Sequence, residues 1–218
     1  MGWLLLGCDR PERSPSADLR PVSEAELAVA EEHPRAALVL VESRWRMRDH
    51  VGVIALTERF LERWPDQARL YLFRGEALGR QARYDEAYEV FDRGIEAVAI
   101  QGDLQQVAVL QAARGGVLLR QGRTDAGREQ LERSVQTMAA APEHQPIQSL
   151  DSCPYMALGR IYRLEGEDQA ALDVLVEGAQ QVPEHPYVVI AAYQQALRMG
   201  DWVTAADLLA GAPRILGT

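Results

Sequence analysis

The residues best able to do chemistry in this chain are few and scattered. Cys153 stands in Asp151-Ser152-Cys153-Pro154. Proline suits the first helical turn and Asp or Ser suits its cap, so the thiol is expected near a helix N-terminus, where a thiolate is favoured. That would make it reactive in principle; a small residue accommodated at a turn is the simpler account. The other cysteine, Cys8, sits in an N-terminal tether while Cys153 starts a helix, and a structural disulfide is not expected. Three of the four histidines follow glutamate near a proline: Glu32-His33-Pro34, Glu143-His144-Gln145-Pro146 and Glu184-His185-Pro186. His and Glu are good zinc ligands. Yet no helical stretch carries two histidines four apart, and the triplets recur at separated junctions, so they read as turns and no metal site is assigned. Arg114-Gly115-Gly116 falls inside a helical pattern, so it is no phosphate loop, and no Ser or Cys has a His and a carboxylate in an interpretable motif. The chain is therefore expected to be no enzyme, with no catalytic residues and no cofactor.

Charge narrows the partners. All 23 basic residues are Arg, and Lys and Asn are absent, a bias that GC-rich coding explains. Guanidinium groups grip carboxylates in pairs of hydrogen bonds and stack on aromatic rings as ammonium groups do not. The net charge is -9, which disfavours nucleic acid, because neutralising phosphates needs a basic surface. From Glu143 onward ten acids face four Arg, leaving the first 142 residues nearly balanced. Arg44, Arg46 and Arg48 around Trp45 read as a solvated helix face.

At the start, Leu5-Leu6-Gly7-Cys8 resembles a bacterial lipobox, in which the cysteine is lipidated after cleavage. A leucine run precedes Cys8 and a Pro/Ser-rich tether follows it, through about residue 22. Seven residues without Arg or Lys are too short for a charged leader, so this reading expects a start upstream of Met1. Asp9 resembles the signal that keeps some lipoproteins on the inner membrane.

The rest of the chain repeats itself. Tyr155, Leu158, Gly159 and Tyr162 are followed by Ala171, Leu175 and Pro183, and the pairs Gly75/Ala87, Gly115/Gly127 and Gly159/Ala171 share one spacing of twelve. Arg74-Gly75 through Glu89 matches Arg114-Gly115 through Glu129 at a constant offset of 40. Gly200 and Ala205 follow Gly166 and Ala171 by 34, and Val53 precedes Ala87 by 34 in a degenerate leading copy closed by Trp64-Pro65. This pattern resembles the tetratricopeptide repeat, a helix-turn-helix of about 34 residues. The resemblance implies an all-α, right-handed superhelical solenoid, one domain over 23–218, with five helix pairs near 35–65, 69–99, 105–140, 150–183 and 186–212. Offsets of 40 and 44 call for longer helices or loops near Gly102-Asp103 and Glu143 to Ser149. The small residues are expected to let paired helices approach closely.

In the family the first helix of each pair lines a concave groove. Its ligand-facing positions fall here on Arg35, Glu42 and Trp45; Arg69, Leu72, Glu76 and Arg80; Ala112 and Arg120; Met156, Arg160 and Arg163; Tyr187, Gln194 and Arg198. The resemblance implies a scaffold that holds a peptide or partner subunit there. The many Arg favour one bearing Asp, Glu or a free carboxylate, and Trp45 and Tyr187 would supply stacking. With the lipobox it also implies a bacterial envelope lipoprotein, tethered through Cys8 and facing the periplasm, similar in architecture to pilotin and outer-membrane assembly lipoproteins. A cytoplasmic adaptor is the alternative. The groove lacks the Asn and Lys on which the family's chaperone-tail clamp relies.

Overall fold

The computed structural model describes residues 20–141, 153–183 and 185–211. The N-terminal tether, Cys8 and the Glu143-to-Pro146 triplet lie outside them. Among the described residues there are eleven α-helices and no strand. Helices α2 (Pro34–Arg46) and α3 (His50–Arg63), α4 (Ala68–Arg80) and α5 (Tyr84–Ala99), α6 (Leu104–Arg120) and α7 (Thr124–Ala139), α8 (Pro154–Glu165) and α9 (Asp168–Gln181), and α10 (Pro186–Met199) and α11 (Trp202–Ala210) form the five expected pairs. The offset of 40 is absorbed by helix length. Helix α5 has 16 residues against 14 in α9, and α6 reaches Gly115 from four residues further back than α4 reaches Gly75, while the connecting turns stay short.

One helix was not anticipated. Helix α1 (Glu24–Glu32) precedes the first pair and packs on α2. Its signal is the spacing Ser23-x-x-Glu26: the Ser23 hydroxyl accepts from the Glu26 N–H at 3.3 Å, and a Glu26 carboxylate oxygen accepts from the Ser23 N–H at 2.9 Å. The Ser23 hydroxyl and N–H hold the Glu26 carboxyl down to about 2.

Pairs close through two size-matched contacts. A Cβ added to Gly75 would stand 2.4 Å from the Phe91 ring, one on Gly115 3.0 Å from Leu131, and one on Gly159 2.8 Å from Leu175. Each first-helix glycine thus makes room for the large residue sixteen positions on. Backbones themselves meet in the third pair, where a Cβ on either Gly115 or Gly127 would lie 3.2 Å from the other's carbonyl oxygen. The second contact has the opposite sense. A Cβ on Gly94 would meet Tyr71 at 2.7 Å, and one on Gly178 would meet Tyr155 at 2.6 Å, again at a constant separation, now twenty-three. The degenerate leading pair keeps both registers with the sizes exchanged. Val41 stands in the glycine's place opposite a smaller Thr57, and Ala37 stands in the tyrosine's place opposite Phe60; all four are fully buried. Close-packed interiors demand matched volume more than particular residues. In the last pair Tyr193 replaces the glycine, and the residue sixteen on, Leu209, is 45% exposed.

Turns follow the same economy. Gly122, Gly166 and Gly200 adopt left-handed backbone at the ends of first helices, while Ala82 and Arg48 do so without being glycine. Two of the histidine triplets are helix junctions: His33 and His185 are N-cap residues of α2 and α10, with Pro34 and Pro186 at the first helical position. Cys153 stands at the N-terminus of α8 as anticipated, at the cap position itself and without a side-chain capping bond, but the expectation of a favoured thiolate is overturned. The residue is wholly buried, and burial pushes the thiol up to about 11.

Candidate partner-binding groove

First helices of successive pairs touch directly, α2 to α4, α4 to α6, α6 to α8 and α8 to α10, whereas each second helix packs mainly on the first helices before and after it. A stack in which the first helices meet curves toward them, so they form its inner wall. Gly79 shows how close they come: a Cβ there would lie 2.8 Å from Val117 on α6.

Equivalent positions make rows across this wall. The row Glu42, Glu76, Gly116, Arg160, Gln194 changes from acid to base along the stack, and the row Arg46, Arg80, Arg120, Leu164, Arg198 is mostly basic. Beside the first row, on the side away from the second, the sequence reading missed an apolar floor of Val39, Phe73, Ala113, Ala157 and Ala191, exposed at Val39 and half-buried or buried from Phe73 on. Their signal is a recurrence three residues before each member of the first row, with small side chains in the last three repeats.

Tertiary structure divides the expected ligand residues. Arg69 on α4 reaches Glu42 on α2, with Arg46 3.6 Å from the same carboxylate. Arg120 on α6 reaches Glu76 on α4 at 2.9 Å. These pairs tie neighbouring repeats together and neutralise the first half of the wall. Arg198 is likewise engaged by Asp168 and Gln195. Trp45 does not stand open: its ring packs edge-on against Phe73 and His50, centroids 5.8 and 5.2 Å apart. Leu72 and Ala112 are buried in the core, so neither reaches a ligand, and Met156 is half-buried against it. Arg35, Arg80, Arg160, Arg163 and Gln194 are exposed and have no side-chain partner among the described residues. Tyr187 is half exposed with its ring edge toward His185.

Other arginines serve the fold. Arg128 on α7 binds Glu132 at 3.0 Å, Glu165 at 2.5 Å and Glu167 at 2.8 Å, and lies over the Tyr162 ring at 4.8 Å. Hydrogen bonds to Glu167 and Glu132 raise its basicity further, and Arg128 in turn holds the Glu167 carboxyl below its usual range. A contact of the same kind with the helices exchanged joins α5 and α6, where Arg114 on the first helix lies 5.3 Å over Tyr88 and 3.0 Å from Asp92 on the second helix before it. On the outer side a cleft of about 240 Å³ is lined by Glu58, Leu61, Glu62, Tyr71, Arg74, Val90 and Arg93. Its Arg74 pairs with Glu58 at 2.8 Å, and the Tyr71 hydroxyl donates to the Pro65 carbonyl at 2.9 Å.

Similar folds are known. PilF of Pseudomonas aeruginosa superposes with a TM-score of 0.55 at 15% identity, over 88% of this chain and 78% of that one. BtubC of P. vanneervenii superposes with a TM-score of 0.53 at 16% identity, over 88% and 85%. A looser overlay, TM-score 0.44 at 18% identity over 89% and 93%, is found with YrrB, described as a TPR protein with an unusual peptide-binding site. The fold is a tetratricopeptide solenoid. No protein-family model matches the chain, and no curated protein does. No helix among the described residues is long and apolar enough to cross a membrane.

Proposed function

We propose that the chain is a non-catalytic protein-interaction scaffold whose concave wall holds an acidic segment of a partner protein. One observation carries this reading. In a chain with a surplus of acids, the wall presents Arg80, Arg160 and Arg163 exposed and without a carboxylate partner among the described residues, beside a floor of small side chains. Unpaired guanidinium groups on an open wall favour bidentate carboxylate contacts, and the recessed floor admits an extended backbone or a slender helix. Arg69 and Arg120 serve the wall's rigidity, since a ligand would have to displace Glu42 or Glu76 to reach them.

The test is a charge reversal that spares the ion pairs. In Arg80→Glu/Arg160→Glu, capture of the cross-linked native partner should be lost while helical circular dichroism is unchanged; retained capture rejects this wall as the binding surface. The lipobox-like Leu5-Leu6-Gly7-Cys8 supports a further element of the proposal, an envelope scaffold anchored through a lipid on Cys8 and facing the periplasm. Fatty-acid labelling should then depend on Cys8. Label surviving Cys8→Ser, or none in the wild type, would favour a cytoplasmic adaptor.

A further inference from the structure

Among the described residues, the last helix, α11, leaves uncovered a face that every earlier second helix fills. One repeat before the end, α9 presents Asp168 and Leu172 to α10: the Asp168 side chain takes Arg198, its carbonyl accepts from Gln195 at 3.0 Å, and Leu172 packs with Ala196. The residues 34 positions later are Trp202 and Ala206, and no helix among the described residues follows to cover them. Trp202 is 69% exposed and Val203 73%. Leu209 joins them because Tyr193 occupies the place where the other pairs hold a glycine. Helix α11 therefore carries an apolar outer strip of Trp202, Val203, Ala206 and Leu209, with the helix anchored beside it by the buried Ala205.

We infer that this strip is a docking surface for a basic amphipathic helix of a partner protein, separate from the concave wall. The shape follows from the repeat, since the same register on α9 receives a helix carrying a small residue and an arginine. The charge follows from the surroundings. From Asp168 to Gly211 there are six acids and one arginine, and that arginine is already engaged by Asp168. Asp207 flanks the strip and is exposed without a partner among the described residues. A second copy of this chain would bring the same surplus of acids and be repelled, whereas Arg or Lys beside an apolar stripe would meet Asp207 and the face of Trp202.

Two synthetic amphipathic helices with the same Leu/Ala stripe, one flanked by Arg and the other by Glu, are titrated against the full chain. The Arg-flanked helix should bind and the Glu-flanked one should not, and Trp202→Ser/Leu209→Ser should weaken binding by about tenfold or more. These positions are exposed, so the variant keeps its fold, which circular dichroism checks. Binding of both peptides, or equal binding to the variant, overturns the proposal. So does a dimer of the full chain that the variant abolishes, which would make a second copy the occupant. If the Arg-flanked helix binds only once Ile215 and Leu216 are replaced by Ser, the chain's own end is the occupant and the proposal falls. Arg80→Glu/Arg160→Glu should leave this binding unchanged, which separates it from the groove.

Discussion

The seam inside each helix pair and the concave wall obey different rules, although both are built from the same first helices. In the seam a glycine faces Phe91, Leu131 or Leu175, and a tyrosine faces Gly94 or Gly178, with space for nothing larger. On the wall, Glu42, Gly116 and Arg160 occupy equivalent positions without disturbing the stack. Shape governs where atoms are enclosed on every side. Where water covers one side, a charge can be exchanged at little cost and only pairing distinguishes one arginine from the next.

The comparison can be broken hardest at the seam. Gly159→Val drives a branched side chain into Leu175 and should destabilise the fold by about 1–3 kcal/mol. Adding Leu175→Thr copies the Val41/Thr57 solution of the leading pair and should recover part of that loss in urea unfolding. A double variant no more stable than the single one would show that the exchanged sizes are coincidental.

His185 probes enclosure at the junction between two pairs, where it caps α10. It is 2% exposed, neither ring nitrogen has a hydrogen-bond partner among the described residues, and burial lowers its basicity from 6.5. Below 6.5 the unfolded chain takes up a proton that the folded chain resists, so stability should fall as pH drops from there toward the lower folded value. His185→Leu should flatten that part of the profile, measured by thermal unfolding across the window. An unchanged slope would mean that the ring reaches solvent.

The smallest effect belongs to the wall. Arg120→Ala removes an ion pair with Glu76 between partly exposed groups and should cost about 0.2–1 kcal/mol, less in high salt. A loss as large as that of Gly159→Val would erase the distinction between seam and wall.

Much of the seam could be read before any coordinates, because enclosure leaves a trace at fixed spacing. Gly75, Gly115 and Gly159 mark the glycine side; the sequence reading pairs them with the small residues twelve on, whereas the side chains that fill the space stand sixteen on. The reversed contact of Tyr71 with Gly94 was equally present and was missed, since it recurs only once more, as Tyr155 with Gly178. Helix α1 was signalled only by Ser23 and Glu26, a local cap without a repeat behind it. For the groove, the sequence placed Arg69, Arg80, Arg120 and Arg160 on one kind of position and could not separate them. The acids that take Arg69 and Arg120 lie on other repeats, 27 residues away for Glu42 and 44 for Glu76.

Sequence alone determined that the chain is a stack of helix pairs, because backbone periodicity and the bulk of each side chain are local properties that recur with the repeat. Which arginines lack a partner among the described residues, that Trp45 is packed, that burial disfavours the Cys153 thiolate and that α11 presents an exposed apolar strip were decided only in three dimensions. Pairing and burial depend on which helices become neighbours, and charge partners chosen across repeats leave no fixed spacing along the chain.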